Sequence, residues 1–330
     1  MPRRLLVPGV LNTLYAAAVR RRRERYAARP DLRRRLRRPV ISVGNLAVGG
    51  RGKTPLTAHL ARLLLGAGEW PAILSRGYGR ASRDGDVVVV RDRQGIRADL
   101  ARAGDEPLML ARQLPGVVVV VSPDRYLAGQ RAEQDLGVTV HVLDDGFQHL
   151  QLERDIDLLI LGRDDIADPV TLPGGHLREP LDTIIAADAV LTADDDVVVD
   201  MPGLDVPVFR LRRSGVPRAV TTEPVLAVAG IASPERFFDD LREAGWPVAE
   251  RMVFEDHHRY TRKDVDRMAA VTRGAGAVRV VTTEKDYVRL LPYRPFPLPV
   301  EPLPAAVQPE PAAEFAQWLL GEIATVRGDA

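Results

Sequence analysis

The stretch "ISVGNLAVGGRGKTP", residues 41–55, decides the fold of this chain. An apolar, β-branched start runs into glycines, then Gly-Lys-Thr and a proline, and the apolar-periodic "LTAHLARLLL" follows. The segment "AVGGRGKT" fits the phosphate-binding template G-x-x-x-x-G-K-[ST], except that alanine replaces the first glycine. Its residues are Ala47, Val48, Gly49, Gly50, Arg51, Gly52, Lys53 and Thr54. A strand before this loop and a helix after it let backbone N–H groups surround phosphate oxygens, so we expect a bound nucleotide rather than an unliganded turn.

The last two side chains of this loop indicate its chemistry. Lys53 is expected to reach the β- and γ-phosphates, and the Thr54 hydroxyl is expected to bind Mg²⁺. A P-loop enzyme also needs an acidic residue near the metal, and the apolar strand in "VTVHVLDDGFQ" ends in Asp144 and Asp145. Paired aspartates before Gly146 are common in simple turns as well. We favour the magnesium interpretation, because the phosphate-binding loop requires such a partner.

The composition of the 330-residue chain limits its class. The length favours about two domains. The absence of cysteine excludes disulfides and cysteine-based metal sites, and it fits a reducing compartment. The net charge of +1 hides an asymmetry, because residues 1–39 hold thirteen arginines against Glu24 and Asp31 and therefore carry about +11. A basic arm thus precedes an acidic body.

Residues 1–38 form this arm, which we interpret as a basic amphipathic segment that associates with a membrane. Its apolar part, from Leu5 to Val19, is shorter than the roughly 20 residues that a spanning helix needs. The arginines that follow argue against a cleaved signal peptide. A short apolar helix with an arginine-rich flank suits the surface of an anionic leaflet. A solvated helix packed on the acidic body and nucleic-acid binding are the alternatives, but we expect no nucleic-acid partner.

Strand-like and helix-like segments alternate along the rest of the chain, which predicts a parallel sheet covered by helices on both faces. The predicted strands are 39–45, 71–77, 117–122, 138–145, 155–161 and 188–193, with helices at 54–66, 105–114 and 124–136 and part of an inserted hairpin at 86–95. A region rich in proline and aspartate, 194–217, breaks this rhythm. We predict an α/β fold: a P-loop NTPase-like α/β/α sandwich over residues 39–215, and a second, smaller α/β domain over residues 216–330 that closes over the cleft.

Seven runs of residues together resemble one known family. They are "VGNLAVGGRGKTP", "LSRGYGR", "AGDEPLMLAR", "VLDDGFQHLQLERDIDLLIL", "LPGGHLREP", "FEDHHRY" and "TTEKDYVRL". This order resembles that of the tetraacyldisaccharide 4′-kinases, the lipid A 4′-kinases, over roughly residues 38–290. The run "LDDGFQH" beside a phosphate-binding loop followed by proline is distinctive, whereas a lone phosphate-binding loop is not.

The resemblance implies a reaction and its location. Enzymes of this family transfer the γ-phosphoryl group of ATP to the 4′-hydroxyl of a tetraacyldisaccharide 1-phosphate. The product is lipid IVA, an intermediate of lipid A and lipopolysaccharide biosynthesis. The resemblance therefore implies ATP and Mg²⁺ as cofactors, a lipid substrate, and a peripheral position at the cytoplasmic face of the bacterial inner membrane.

The resemblance also implies roles for individual residues. Asp105 is the candidate base that accepts the hydroxyl proton, and His257 orients Asp105 or shares its proton. The candidate ligands or neighbours of Mg²⁺ are Thr54, Glu106, Asp144, Asp145 and Gln148. Arg76 and Arg178 are candidate ligands of phosphate oxygens.

Each of these residues also has a structural interpretation. Asp105 could cap a helix that starts before Pro107, either His257 or His258 could be a surface or core residue, and Gln148 could belong to a turn. Two other functions stay open: a P-loop kinase of another lipid-linked sugar, and a membrane-recruited ATPase switch. A switch needs an attacking water but no acceptor pocket, so its ATPase activity would not depend on a lipid acceptor.

Overall fold

The computed structural model of the chain describes residues 7–80, 87–194, 199 and 203–328. Residues 1–6 of the predicted arm, Asp86 of the predicted hairpin, and residues 195–198 and 200–202 of the proline- and aspartate-rich region lie outside this description. The strands are β1 (Val40–Asn45), β2 (Pro71–Ser75), β3 (Val88–Asp92), β4 (Gly95–Ile96), β5 (Val118–Val121), β6 (Val140–Asp144), β7 (Ile156–Leu161), β8 (Ala189–Thr192), β9 (Val208–Gly215), β10 (Val225–Ala229), β11 (Val248–Val253), β12 (Arg279–Thr283), β13 (Val300–Leu303) and β14 (Ala306–Glu310).

The α-helices are distributed along the whole chain. They are α1 (Val7–Ala28), α2 (Lys53–Gly66), α3 (Leu100–Ala103), α4 (Asp105–Gln113), α5 (Arg125–Leu136), α6 (Arg163–Ala167), α7 (Pro234–Glu243), α8 (Arg262–Gly274), α9 (Glu284–Leu290) and α10 (Ala312–Gly328). All six strands and all three helices predicted for the first domain are therefore present.

A ten-stranded sheet forms the larger part of the fold, in the order β14-β9-β8-β7-β1-β6-β2-β5-β3-β4. Its centre is parallel, and antiparallel pairs occur only toward the two edges, between β3 and its neighbours and between β14 and β9. The predicted hairpin is present as β3 and β4, but β3 also pairs with β5 and so extends the sheet. The central strand β1 is buried along its whole length between β6 and β7, which explains its continuous apolar sequence.

Helices cover both faces of this sheet. On one face, Ile41 and Val43 of β1 pack with Leu56 and Leu60 of α2. On the other face, Val40 of the same strand packs in a cluster that includes residues of α5. Successive side chains of a strand point to opposite faces, so one apolar strand supplies both cores. The predicted α/β/α sandwich is confirmed.

A second, four-stranded sheet is parallel throughout, in the order β11-β10-β12-β13. Phe237, Phe238 and Leu241 of α7 pack against one face, and Val265 and Met268 of α8 pack against the other. Helix α9 follows β12 directly, and it contacts α4 of the larger unit.

The end of the chain corrects the predicted limits of the second domain. Strand β14 pairs with β9 at the edge of the larger sheet, and Phe315 of α10 is buried against Phe209 of β9, with ring centroids 5.0 Å apart. The prediction that residues 216–330 form one C-terminal domain is therefore wrong for residues 306–328. The proline-rich composition of this region concealed two short strands, β13, which completes the second sheet, and β14, which returns the chain to the first sheet.

Helix α1 packs along the outside of the larger unit. Its Asn12 Oδ1 accepts a hydrogen bond from the N–H of Gly174 at 2.9 Å, and Arg23 donates to Glu179 at 2.7 Å. Val10, Leu11 and Leu14 are exposed in the first half of the helix, and the arginines follow in the second half. The apolar and basic residues are thus separated along the axis rather than on opposite faces, which corrects the amphipathic interpretation. None of the helices among the described residues is long and apolar enough to cross a membrane.

The buried position of Phe315 predicts that α10 stabilises the larger unit. Phe315→Ala should lower the free energy of unfolding by about 3–5 kcal/mol, because the surrounding strands cannot fill the cavity that it leaves. Val220→Ala is the matched control, since Val220 is 97% exposed and should change stability by less than about 0.5 kcal/mol. Urea denaturation followed by circular dichroism measures both. Equal stabilities for the two variants would show that α10 does not pack on the sheet.

Candidate active site

The phosphate-binding loop lies between β1 and α2, as predicted. Gly49 and Gly52 have φ angles of 102° and 87°, a left-handed conformation that other residues adopt only with strain. Gly52 precedes the first residue of α2, so the N–H groups of the first helical turn open onto the loop. This arrangement provides an anion site at the start of a 14-residue helix.

The side chain of Lys53 is held beside this loop. Its Nζ donates to Asn45 Oδ1 at 2.9 Å and to the carbonyl of Gly49 at 3.3 Å, and it lies 3.6 Å from Asp145 Oδ1. Burial lowers the pKa of Lys53, while the charge of Asp145 opposes that shift. Asn45 was not assigned a role from the sequence, although a polar residue at the end of a buried strand, directly before the loop, was the available signal.

Arg51 of the loop has acidic partners outside it. Its guanidinium pairs at 2.8 Å with the fully buried Asp165, which also lies 2.9 Å from His176 Nε2. Ala47 is fully buried and forms an antiparallel bridge with Leu177. Ala47, which replaces the first glycine of the template, and Arg51 therefore both attach the loop to the segment around His176.

Asp144 forms the acidic centre of the site, at the end of β6. Both carboxylate oxygens lie 3.4 Å from Thr54 Oγ1, and Thr57 Oγ1 is 3.3 Å from Oδ1. Burial raises the pKa of Asp144, and the charges of Glu106 and Asp145 raise it further. The negative charges of Asp144, Glu106 and Asp145 therefore lie close together around a buried carboxylate, and a bound cation would neutralise them.

Asp145 and Gln148 lie next to this centre but have partners of their own. Asp145, at a φ of 55°, accepts two hydrogen bonds from Arg178, at 2.8 and 3.0 Å. Burial alone would raise the pKa of Asp145, but Arg178 and Lys53 outweigh it and lower the pKa. The Gln148 amide donates to the carbonyl of Asn45 at 3.0 Å, and its Oε1 is buried without a partner among the described residues.

These residues fit a magnesium ion chemically. The set consists of hydroxyl, carboxylate and amide oxygens, which are the ligands that Mg²⁺ prefers. No group of three or more histidine or acidic side chains in the described ranges is already arranged as a metal site. The raised pKa of Asp144 and the unpartnered Oε1 of Gln148 are the two observations that a cation would explain.

Asp105 and His257 meet although they lie 152 positions apart in sequence. His257 Nδ1 is 3.1 Å from Asp105 Oδ2, and the other oxygen, Oδ1, accepts the N–H of Glu106 at 2.9 Å. Gly104, directly before Asp105, packs closely on the preceding loop, because a Cβ there would lie 2.6 Å from the carbonyl of Tyr78. The structure thus brings together the two residues that the resemblance named.

Helix α9 adds two cations that were not assigned a role from the sequence. Arg289 Nε and Nη2 donate to Asp105 Oδ2 at 2.8 and 2.6 Å. Lys285 Nζ lies 3.2 Å from His257 Nε2 and 3.1 Å from Glu106 Oε1. Burial alone would raise the pKa of Asp105, but Arg289 and Lys285 outweigh it and lower the pKa. The sequence feature that could have indicated their role is the run "TTEKDYVRL", where Lys285 and Arg289 are four residues apart and so share one helix face.

Two further predicted candidates occupy different environments. His258 Nε2 lies 3.2 Å from Asp264 Oδ2, and its ring packs against Phe254 with centroids 4.7 Å apart, so His257 alone of this pair faces Asp105. Arg76 is exposed directly after β2, within electrostatic range of the buried Arg125. The side chain of Arg178 contacts Asp145 and Asn45, beside Lys53.

Comparison with known proteins identifies the family. The chain matches the family described as tetraacyldisaccharide-1-P 4′-kinase, LpxK, over residues 3–324. The chain belongs to this family. A tetraacyldisaccharide 4′-kinase of Pelobacter propionicus is 43% identical over 87% of this chain and 83% of its own length. One of Geobacter metallireducens is 40% identical over 87% and 89%.

A solved structure agrees with this assignment. LpxK from Aquifex aeolicus, in complex with ATP, is similar to the chain with a TM-score of 0.79 and 32% identity, covering 95% of this chain and 97% of its own. The predicted family, the P-loop kinase fold and the class of enzyme, an ATP-dependent kinase of the lipid A precursor, are confirmed. The roles of the individual site residues stay predictions.

Proposed function

We propose that this chain transfers the γ-phosphoryl group of ATP to the 4′-hydroxyl of a tetraacyldisaccharide 1-phosphate, and that Asp105 and His257 accept the hydroxyl proton. The observation that carries the proposal is that one fold contains both a phosphate-binding loop and a pair of residues that can accept a proton. The phosphate-binding loop with Lys53 comes from the first 60 residues. The Asp105–His257 pair joins the two units of the fold at 3.1 Å. A nucleotide switch requires the phosphate-binding loop but does not require the Asp105–His257 pair.

Lys53 and the start of α2 hold the donor in this proposal. The N–H groups of the first helical turn bind the phosphate oxygens, and the ammonium of Lys53 turns from Asn45 to the β- and γ-phosphates. Arg178 lies beside Lys53, and its hydrogen bonds lower the pKa of Asp145. The carboxylate of Asp145 is therefore kept ionised next to the phosphate-binding loop.

Thr54, Asp144, Asp145, Glu106 and Gln148 are the residues that would hold Mg²⁺. When bound, the ion neutralises charge on the β- and γ-phosphates during transfer. Thr54 and Asp144 already lie 3.4 Å apart, at the mouth of the phosphate-binding loop. Lys285 keeps Glu106 close to the same region through their 3.1 Å contact.

The reaction places the proton on the Asp105–His257 pair. The 4′-hydroxyl oxygen forms a bond with the γ-phosphorus, the bond between that phosphorus and the β,γ-bridging oxygen breaks, and ADP leaves. The hydroxyl proton passes to the pair as the new bond forms, which is the role of a positioned base. Arg76, exposed at the end of β2, is positioned to bind phosphate oxygens of the donor or the acceptor.

Helix α1 supports a site at the cytoplasmic face of the inner membrane. The exposed side chains of Val10, Leu11 and Leu14 provide apolar contact, and the arginines that follow provide attraction to anionic lipid at about 1 kcal/mol each. Tyr15 of the same helix donates to the carbonyl of Arg178 at 3.0 Å. The proposed membrane contact therefore adjoins the phosphate-binding loop, within reach of an acceptor that keeps its acyl chains in the leaflet.

Replacement of Lys53 tests the proposed reaction. Lys53→Ala should lower kcat by at least ~10²-fold, because it removes a charge that stabilises the migrating phosphoryl group. The measurement is transfer of ³²P from γ-labelled ATP to a tetraacyldisaccharide 1-phosphate, with phosphate release recorded in parallel. Lys263→Ala, at an exposed position of α8, is the matched control and should retain full activity.

Two outcomes would contradict this proposal. Near-full turnover of Lys53→Ala at saturating ATP would remove Lys53 from the reaction. Phosphate release by the wild type that is unaffected by the lipid acceptor, without labelled lipid, would favour the ATPase switch.

Charge on the apolar end of α1 tests the membrane contact. The double variant Val10→Asp/Leu14→Asp should weaken binding to anionic phospholipid vesicles by at least about 10-fold, since it places two negative charges at the surface. The 4′-kinase activity on a detergent-dispersed acceptor should change little, because both side chains are exposed on α1 and neither is assigned to the reaction. Val220→Asp serves as the control for an exposed valine elsewhere. Unchanged vesicle binding by the double variant would place the contact on another surface.

A further inference from the structure

Two of the three lysines in this chain lie in the site. The sequence uses lysine at positions 53, 263 and 285, and arginine at all other basic positions. Lys53 belongs to the phosphate-binding loop, and Lys263 is exposed on α8. Lys285 is 18% exposed and reaches the ring of His257, so it touches one of the two residues to which proton transfer is assigned.

The hydrogen bonds of Lys285 determine where His257 carries its proton. A neutral imidazole has one N–H donor and one lone pair, and an ammonium group has only donors. Because Lys285 Nζ lies 3.2 Å from His257 Nε2, that nitrogen supplies the lone pair. The N–H is then on Nδ1, where it donates to Asp105 Oδ2 at 3.1 Å. The 3.3 Å approach of Arg289 Nη2 to Nδ1 is consequently a contact between two donors and not a hydrogen bond.

Arg289 fixes the carboxylate that receives this N–H. Its Nε and Nη2 both donate to Asp105 Oδ2, and its Nη1 donates to the carbonyl of Gly230 at 2.8 Å and to Asp286 at 3.1 Å. Arg289 is 6% exposed, so these hydrogen bonds are buried between the two units.

Asp286 anchors Arg289 in the second unit and takes no part in proton transfer. It is fully buried, and its remaining acceptor positions are filled by the N–H of Gly230 at 2.9 Å, the hydroxyl of Thr283 at 2.7 Å and the hydroxyl of Tyr260 at 3.0 Å. These hydrogen bonds hold the Asp286 carboxylate in place beside Arg289.

We propose that Lys285 and Arg289 are positioning residues that select the Nδ1–H tautomer of His257 and aim it at Asp105, so that the Nε2 lone pair faces the Lys285 ammonium. This inference rests on the proposed roles of Asp105 and His257. Lys285 also lies 3.1 Å from Glu106 and 3.9 Å from Asp256. When the pair takes up a proton at Nε2, Glu106 and Asp256 can pair with the Lys285 ammonium, which would otherwise face the protonated nitrogen.

The tautomer is measured directly in the full-length protein, without acceptor or metal. Long-range ¹H–¹⁵N spectra of protein labelled with [¹⁵N]histidine distinguish an N–H nitrogen from one with a lone pair, and His257→Gln identifies the signals of residue 257. The wild type should show the lone pair on Nε2. Lys285→Met should populate the Nε2–H tautomer, because the donor that excluded it is gone. Lys285→Arg keeps N–H donors at this position and should retain the wild-type tautomer.

Kinetics supply the second readout. Lys285→Met should lower kcat for phosphoryl transfer by about 10- to 100-fold, part of the ~10² to 10⁴-fold that a positioned base contributes. The Kd for ATP without Mg²⁺, measured by calorimetry, should not change, because Lys285 contacts Glu106 and His257 and not the phosphate-binding loop. Lys263→Met is the control and should change neither the tautomer nor kcat.

An Nε2–H tautomer in the wild type, or the same tautomer in Lys285→Met as in the wild type, would overturn this inference. Both results are independent of the proposed phosphoryl transfer, which is tested separately by whether labelled phosphate reaches the acceptor. A changed tautomer in Lys285→Met with unaltered kcat would overturn the positioning role in the reaction.

Discussion

The carboxylate of Asp105 is the point at which the two units of this protein meet. It is 6% exposed, and it accepts hydrogen bonds from Arg289 and His257 of the second unit and from the backbone of its own helix. A buried charge is tolerated only when it is paired and its hydrogen bonds are complete. The ion pair between Asp105 and Arg289 therefore helps to fix the place of the second unit on the first, because separating the two would remove the charged partner of the Asp105 carboxylate.

The larger sheet brings the donor side of the site to the same place. Parallel strands end at one edge of a sheet, and ligands of open α/β folds bind outside those ends. Asn45 ends β1 and Asp144 ends the neighbouring β6, which puts the phosphate-binding loop and the acidic centre side by side. Helix α4 starts with Asp105 and Glu106, so one turn supplies both the proposed base and a carboxylate for the metal. Phosphoryl transfer requires this proximity, since positioning and charge provide most of the catalysis.

Local sequence was sufficient for the parts of the fold that depend on local patterns. The strand, glycine-rich loop and helix around Lys53 follow from apolar periodicity and the loop template, and the apolar strand before Asp144 follows from the same reasoning. Strand β14 and helix α10 were assigned to the wrong unit, because their partners, β9 and Phe209, lie about a hundred residues earlier and leave no local trace.

The contacts within the candidate site likewise could not be predicted from local sequence. Asp105 and His257 came from resemblance to a family, and no pattern within the sequence pairs them. The attachment of Arg51 to Asp165 and of Arg289 to Asp105 depends on which charges the fold brings together, and the chain has 46 basic and 45 acidic residues to choose from. Asn45 carried a usable signal as a polar residue at the end of a buried strand, and so did Lys285 and Arg289, since their spacing places two cations on one face of a helix that follows a buried strand.

The central claim is that Asp105 and His257 act as one proton-accepting unit, and a double-mutant cycle on kcat tests it most directly. Asp105→Asn, His257→Ala and the double variant are compared at saturating ATP and acceptor, with Asn chosen because it keeps a partner for Arg289. The account predicts non-additive losses, with the double variant little slower than Asp105→Asn alone, since either change disables the same step. Losses in kcat that multiply in full would show that the two residues act independently and would contradict the account.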